Sequence, residues 1–249
     1  MLKLVKTSTI LSIILSSFLS LSFAQSSAPR LEKRGQATQL IVDGNPFLLL
    51  GGELHNSSSS NLDYLSTLWK PLKQQHLNTA LVAVSWELVE PQEGKFDFSL
   101  VDGILKGGRD NNLKIVLLWF GSWKNGLSHY APEWVKKDTQ RFPRIKLENG
   151  RSTETISALS TEAMNADAKA FAALMKHVKK VDASKQTVIM VQVENEVGVI
   201  GAARDYSDFA NVEFAKAVPA ELMQSLIAHK NELQPQLKSL WEQNGSKTG

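Results

Sequence analysis

Residues 187–198 read TVIMVQVENEVG. The first seven are apolar or β-branched except for Gln192, and the run stops abruptly at Glu194-Asn195-Glu196. A half-exposed strand would alternate apolar and polar residues. A short continuous apolar run is instead the pattern of a strand covered on both faces, as in parallel sheets. The first acidic side chains therefore fall where the buried part of the strand ends.

Moving upstream, the same pattern recurs. Residues 114–120 are KIVLLWF, residues 79–86 are TALVAVSW, and residues 47–50 are FLLL just before Gly51-Gly52. Helical spacing separates them. Ser60-Asn61-Leu62-Asp63 resembles a capping box, and Leu65, Leu68, Trp69 and Leu72 follow, with Pro71 expected to kink the helix or end a turn. Ser99-Leu100-Val101-Asp102 caps a second helix that stops at Asn111-Asn112. Met164, Ala168, Phe171, Met175 and Val178 form one stripe of a third, and Pro219 suits the first turn of a fourth carrying Leu222, Met223, Leu226 and Ile227. Buried strands alternating with amphipathic helices imply an α/β fold with a parallel sheet; a barrel and an open doubly wound sheet both fit. No G-x-G-x-x-G stands at a strand-to-helix turn, so a dinucleotide site is unsupported.

Composition narrows the function classes. Hydrophobic residues make up 43% of the 249, charged residues 21%, and the net charge is +3. Lys3, Lys6, Arg30, Lys33 and Arg34 against Glu32 place an excess of four positive charges in residues 1–36, leaving the remainder slightly acidic. No basic stripe suited to nucleic acid is present. The chain has no cysteine, which excludes disulfides, thiolate nucleophiles and Cys-ligated metal sites. Residues 1–24 read as a bacterial-type secretory signal: Lys3 and Lys6, then an apolar stretch, then Ser22 and Ala24 as the small residues of a cleavage site. That implies export, periplasmic or secreted, and no stable membrane span after cleavage. Residues 25–37 are polar and Pro/Gly-bearing, a flexible linker by composition, with folded structure expected over 38–249.

The chemistry-bearing side chains gather where each strand stops. Glu53, His55 and Asn56 follow the first; Trp86, Glu87 and Glu90 the second; Trp123, Lys124 and Asn125 the third; Glu194, Asn195 and Glu196 the fourth. In a parallel α/β barrel such ends form the active face. Carboxylates and amides bond hydroxyls while Trp covers an apolar sugar face, so the inventory suits a carbohydrate. A carboxyl at the rim of an apolar core is partly desolvated, which favours its protonated form and lets it act as a general acid. Glycoside hydrolysis needs two such carboxyls, about 5–5.5 Å apart for retention and about 6.5–9.5 Å apart for inversion.

VQVENEVG at 191–198 resembles the acid/base strand of clan A glycoside hydrolases, above all family 35 β-galactosidases. WELVEPQEGKFDF at 86–98 is similar to the W-x-x-x-E-P-x-x-G-x-F-D-F stretch of families 35 and 42. Gly52-Glu53-Leu54-His55 resembles the first barrel strand, and Asn78-Thr79 precedes the second, so the likeness spans roughly 38–200. The resemblance implies a (β/α)8 barrel and a retaining β-galactosidase-like enzyme that needs neither metal nor organic cofactor. It implies Glu196 as acid/base, Asn195 as a sugar-hydroxyl ligand and Glu194 as support, with the nucleophile a Glu on strand seven. Glu53, Trp86, Glu87, Trp123, Lys124 and Asn125 are the substrate-binding candidates, the last three by position alone. The chain departs from human-like family 35 enzymes at Ala83, where they carry Tyr. It departs again at 121–126, GSWKNG, where they carry Cys-Ala-Glu-Trp. Both departures imply a divergent bacterial branch.

Four strands are accounted for by Val193, and the residues after Glu196 read as loop and helix. Glu213, Glu221, Glu232 and Glu242 follow no buried strand and read as solvated. The expectation is therefore the first four β/α units of a glycosidase barrel, truncated before its nucleophile, prone to self-association through open strand edges. The alternative is a non-catalytic carbohydrate-binding remnant of such a barrel.

Overall fold

The computed structural model describes residues 28–247; the leader expectation for residues 1–24 lies outside them. The chain divides into two compact units. The first holds residues through Val82, Ser99–Leu117 and Met175–Val191; the second holds Ala83–Phe98, Leu118–Leu174 and Gln192 onward.

In the first unit, β1 (Arg30–Arg34), β2 (Ala37–Val42) and β3 (Asn45–Pro46) form an antiparallel sheet, with Arg30 opposite Ile41 and Ile41 opposite Pro46. The flexible linker expected to reach residue 37 thus contains a strand. It folds because Ile41 and Val42 are buried and supply the apolar footing that β1 pairs against. The run at 47–50 is not a strand either: Leu48 and Leu50 are exposed, and β4 is Gly51–Glu53. Asn78 secures its approach, accepting from Leu50 N at 2.9 Å and donating to Leu48 O at 2.8 Å.

The helical run after Ser60 splits in two. The Asn61 side chain caps α1 (Leu62–Ser66) by accepting from Tyr64 N, and α2 is Trp69–Gln74. The break places Pro71 in the first turn of α2, where its missing N–H costs nothing. Both helices pack on α4 (Ser99–Asp110) through its glycines. A Cβ on Gly103 would overlap Leu62, and one on Gly107 would overlap the Trp69 indole. The short α3 (Trp86–Val89) precedes α4 and belongs to the second unit.

The main sheet has four strands in the order β4, β5 (Thr79–Ser85), β6 (Lys114–Phe120), β9 (Val188–Val193). β4 and β5 are parallel, with Gly51 opposite Thr79. Lys114 N bonds Asn78 O and Ile115 N bonds Thr187 O, so β5, β6 and β9 start side by side and run the same way. The strand order follows the sequence without the reversal that defines a doubly wound sheet; it is the order of four successive strands of a (β/α)8 barrel.

In the second unit, α5 (Glu133–Lys137) and the hairpin β7 (Arg144–Lys146)–β8 (Ser152–Ile156) follow β6; α6 (Thr161–Asp182), whose residues from Met175 on belong to the first unit, leads into β9. The apolar stripe read from sequence is turned around the axis of α6. Met164 is exposed, whereas Ala163, Asp167, Ala170, Leu174 and Val178 are buried. That rotation carries a carboxylate inward. Beyond β9 come α7 (Asp208–Phe214), α8 (Ala220–Ala228) and α9 (Pro235–Gln243), as the loop-and-helix reading expected. No helix among the described residues is long and apolar enough to cross a membrane.

Candidate active site

The turns that follow β6 and β9 are joined residue by residue. Trp123 N donates to Glu194 Oε2 at 2.9 Å, Lys124 Nζ to Asn195 Oδ1 at 2.7 Å, and Gly126 N to the Glu196 carbonyl at 3.1 Å. Both turns use left-handed backbone: Asn125 (φ 55°) and Gly126 (φ 64°) on one, Glu194 (φ 63°) and Glu196 (φ 52°) on the other. Outside glycine this conformation costs roughly 1–2 kcal/mol per residue, so the contacts between the turns must over-determine it.

Behind this seam lies a second carboxylate, Asp167 of α6. Its Oδ1 accepts from Trp119 Nε1 at 2.8 Å, and its Oδ2 accepts from Ser122 N and Ser122 Oγ at 2.6 Å each. Glu194 hydrogen-bonds Asp167, and Ser122 N also reaches Glu194 Oε1 at 3.2 Å. Burial, then the bond to Asp167 and the charge it carries, push Glu194 up to about 9, against the opposite pull of the Trp123 and Ser122 N–H groups. Glu194 therefore holds its proton at neutral pH. Gly121 makes the arrangement possible, since a Cβ there would overlap Glu194 Oε1, Asp167 Oδ2 and Trp119 Nε1 together.

The three residues of the Glu-Asn-Glu segment thus face different surroundings. Glu194 is half-buried with both oxygens engaged, Asn195 is half-buried on Lys124, and Glu196 is exposed. The partial desolvation expected of Glu196 is found at Glu194 instead. The left-handed turn swings the side chains of 194 and 196 into different environments, a result that strand alternation alone would not give. Glu196 remains the carboxyl an incoming ligand can reach.

The other candidates are scattered. Trp123 is half-buried, its indole donating to Ile156 O at 3.2 Å, and Lys124 also lies 4.9 Å from the Phe120 ring centroid. Asn125 is exposed at the tip of its turn. Trp86 does not serve as a sugar wall: it is wholly buried, its indole donating to Glu90 Oε2 at 2.8 Å and meeting Trp134 edge-on at 5.7 Å. A ring packed on all sides has no face to offer a sugar. Glu90 is equally enclosed and also accepts from Gly94 N, so it braces the loop after β5. Glu87 is half-buried and paired with Lys136 at 3.0 Å. Glu53 is exposed at the end of β4, in the first unit. Asp167 was not singled out in the sequence, and Gly121 and Ser122 entered only as part of the departure at 121–126. The rotated stripe of α6 hid Asp167, and the one available hint was a carboxylate at helical spacing between Ala163 and Ala170. Among the described residues, no group of three or more His, Asp or Glu is placed to hold a metal ion.

A glycoside hydrolase 42 family profile, described as β-galactosidase, matches residues 61–241. A β-galactosidase of Xanthomonas manihotis is 30% identical over 170 residues, which cover 66% of this chain and 26% of the relative. β-Galactosidase 13 of Arabidopsis thaliana is 27% identical over 173 residues, covering 67% and 19% respectively. The matches thus span about a quarter or less of these relatives. Among solved structures, an exo-β-1,4-mannosidase from Opitutaceae bacterium strain TAV5 aligns over 65% of this chain and 27% of its own, with a TM-score of 0.47 and 15% identity. The catalytic domain of a β-amylase from Paenibacillus polymyxa aligns over 55% and 34%, with a TM-score of 0.43 and 18% identity.

Proposed function

Since this chain belongs to the glycoside hydrolase 42 family of β-galactosidases, we propose that it carries the acid/base half of a retaining β-galactosidase site. The observation that supports this is the division of labour within one segment. Glu194 is locked by Ser122, Trp123 and Asp167, while Glu196, two residues on, stands open to a ligand.

Glu196 protonates the glycosidic oxygen as the bond to the leaving alcohol breaks. A second carboxylate, on a strand beyond the four described here, takes the sugar covalently. Glu196, now ionised, then removes a proton from water as that water attacks the anomeric carbon and the bond to the second carboxylate breaks, freeing that carboxylate. Asn195, oriented by Lys124, holds a hydroxyl beside that carbon, and Trp123, Lys124 and Asn125 line the approach. The substrate is a terminal β-galactoside or a related β-glycoside. Residues 1–24 support export to the periplasm or medium.

Calorimetry with galactose, paired with an assay on an aryl β-galactoside, tests the reading. Binding is the expected result, with turnover appearing only where the second carboxylate is also supplied. Binding with no turnover even then favours the alternative, a carbohydrate-binding remnant, and no binding refutes both. Met190, Val193, Val197 and Ile200 are exposed apolar residues on or just beyond β9. Uncovered, they favour self-association of the purified chain. Sedimentation should show species larger than the monomer, and a strictly monomeric, cooperatively unfolding chain would contradict this.

A further inference from the structure

Asp167 stands outside the proposed chemistry, yet it is buried and accepts bonds from both Trp119 and Ser122. We propose that Asp167 is a positioning residue, which shares one proton with Glu194 and so clamps the turn after β6 to the end of β9. For what is being positioned, namely Asn195 and Glu196, this rests on the glycosidase reading.

The geometry carries the argument. Ser122 N lies 2.6 Å from Asp167 Oδ2 and 3.2 Å from Glu194 Oε1, so the two carboxyls converge on one amide. Two ionised carboxylates cannot share that space, whereas one proton between them turns repulsion into a bond. Gly121 leaves the room for this approach. The other Glu194 oxygen then takes Trp123 N, and the next two links in register are Lys124 to Asn195 and Gly126 N to the Glu196 carbonyl. The clamp thus fixes the first rung of a three-rung seam whose last rung carries Glu196.

The titratable groups that the hydrogen bonds bring to this seam are Asp167 of α6, Glu194 at the end of β9 and Lys124 on the turn, with Glu196 on the last rung. Lys124 is committed to the Asn195 oxygen, and Glu196 is exposed. With Glu194 raised to about 9, the clamp holds through neutral pH and opens as alkali removes the shared proton.

The test is carbon-detected NMR of the intact chain from pH 4 to pH 10, reading the Glu194 carboxyl together with Asn195 and Gly126 carbons. Glu194 should titrate near 9, and the Asn195 and Gly126 signals should move with the same midpoint. In Asp167→Asn the Glu194 midpoint should fall by about 1–3 units as the neighbouring charge is lost. Glu194→Gln keeps a donor toward Asp167 but cannot titrate, so in that variant the Asn195 and Gly126 signals should stay still; it also serves if Asp167→Asn fails to fold. A Glu194 midpoint at the ordinary carboxyl value of 4.5 overturns the clamp, as do Asn195 and Gly126 signals that ignore a high Glu194 midpoint. Galactose affinity, measured alongside, should weaken about tenfold, or roughly 1.4 kcal/mol, when the clamp opens. The NMR titration needs no sugar, so a chain that binds no galactose refutes the glycosidase reading without touching the clamp.

Discussion

With the second carboxylate in place, Glu196→Gln is expected to lower turnover of a β-galactoside with an unactivated alcohol leaving group by about 10²–10⁴-fold, the usual worth of a positioned general acid. Galactose affinity should stay nearly unchanged, because the amide keeps the size and hydrogen-bonding reach of the carboxyl. The argument turns on the leaving group. An alkoxide is too basic to depart unassisted, so it needs the Glu196 proton as the bond breaks. An acidic phenol leaves with little help, so with an aryl galactoside the glycosylation step should suffer much less, and the loss should move to the second step, where Glu196 activates water. Comparing kcat/KM for alkyl and aryl galactosides on both forms checks this. Undiminished turnover of the alkyl substrate by the variant would remove Glu196 from the acid role.

Arg109→Met should destabilise the chain by about 3 kcal/mol, because it strands a buried carboxylate. Arg109 Nη2 bonds Asp182 Oδ1 at 2.5 Å, and the side chains are 34% and 4% exposed, respectively. Asp182 Oδ2 accepts from Val188 N at 2.8 Å, so the same carboxylate fixes the first residue of β9. Arg109 Nε also donates to Thr187 Oγ1 at 2.8 Å, bracing the residue just before that strand. Removing the guanidinium leaves a charge with no partner of opposite sign in a site that excludes water. Met keeps most of the stem's packing, so the loss reports the charge rather than a cavity. Urea unfolding should show a lower midpoint at unchanged slope. Arg109→Met combined with Asp182→Asn should recover much of the loss, since the stranded charge is then gone. A single variant as stable as the parent would show that water reaches Asp182.

Much of the architecture could be read from local pattern. KIVLLWF becomes β6 with six of its seven residues buried, because the six apolar residues after Lys114 call for cover on both faces. TALVAVS becomes β5 for the same reason, and the family motifs at 86–98 and 191–198 were visible as they stand. Pattern failed where a segment's fate depends on what it meets. Residues 30–34 are polar enough to read as linker, yet they pair with β2 because Ile41 and Val42 are buried. Residues 47–50 look like a strand and are not one. Trp86 looked like a sugar platform, but Glu90 and Trp134 enclose it.

The residue order determined which strands form, their sequence in the sheet and the family, since apolar runs and motifs are properties of neighbours along the chain. Tertiary structure alone decided which carboxyl is dry. Glu194 keeps its proton because the fold buries it and sets Asp167 beside it, against the pull of the Trp123 and Ser122 N–H groups, which come from 71 and 72 residues away. A carboxyl's affinity for its proton follows the solvent and charge within a few ångströms. Those surroundings are assembled by the rotation of α6 and the left-handed turn after β9, neither of which leaves a periodic mark in the sequence.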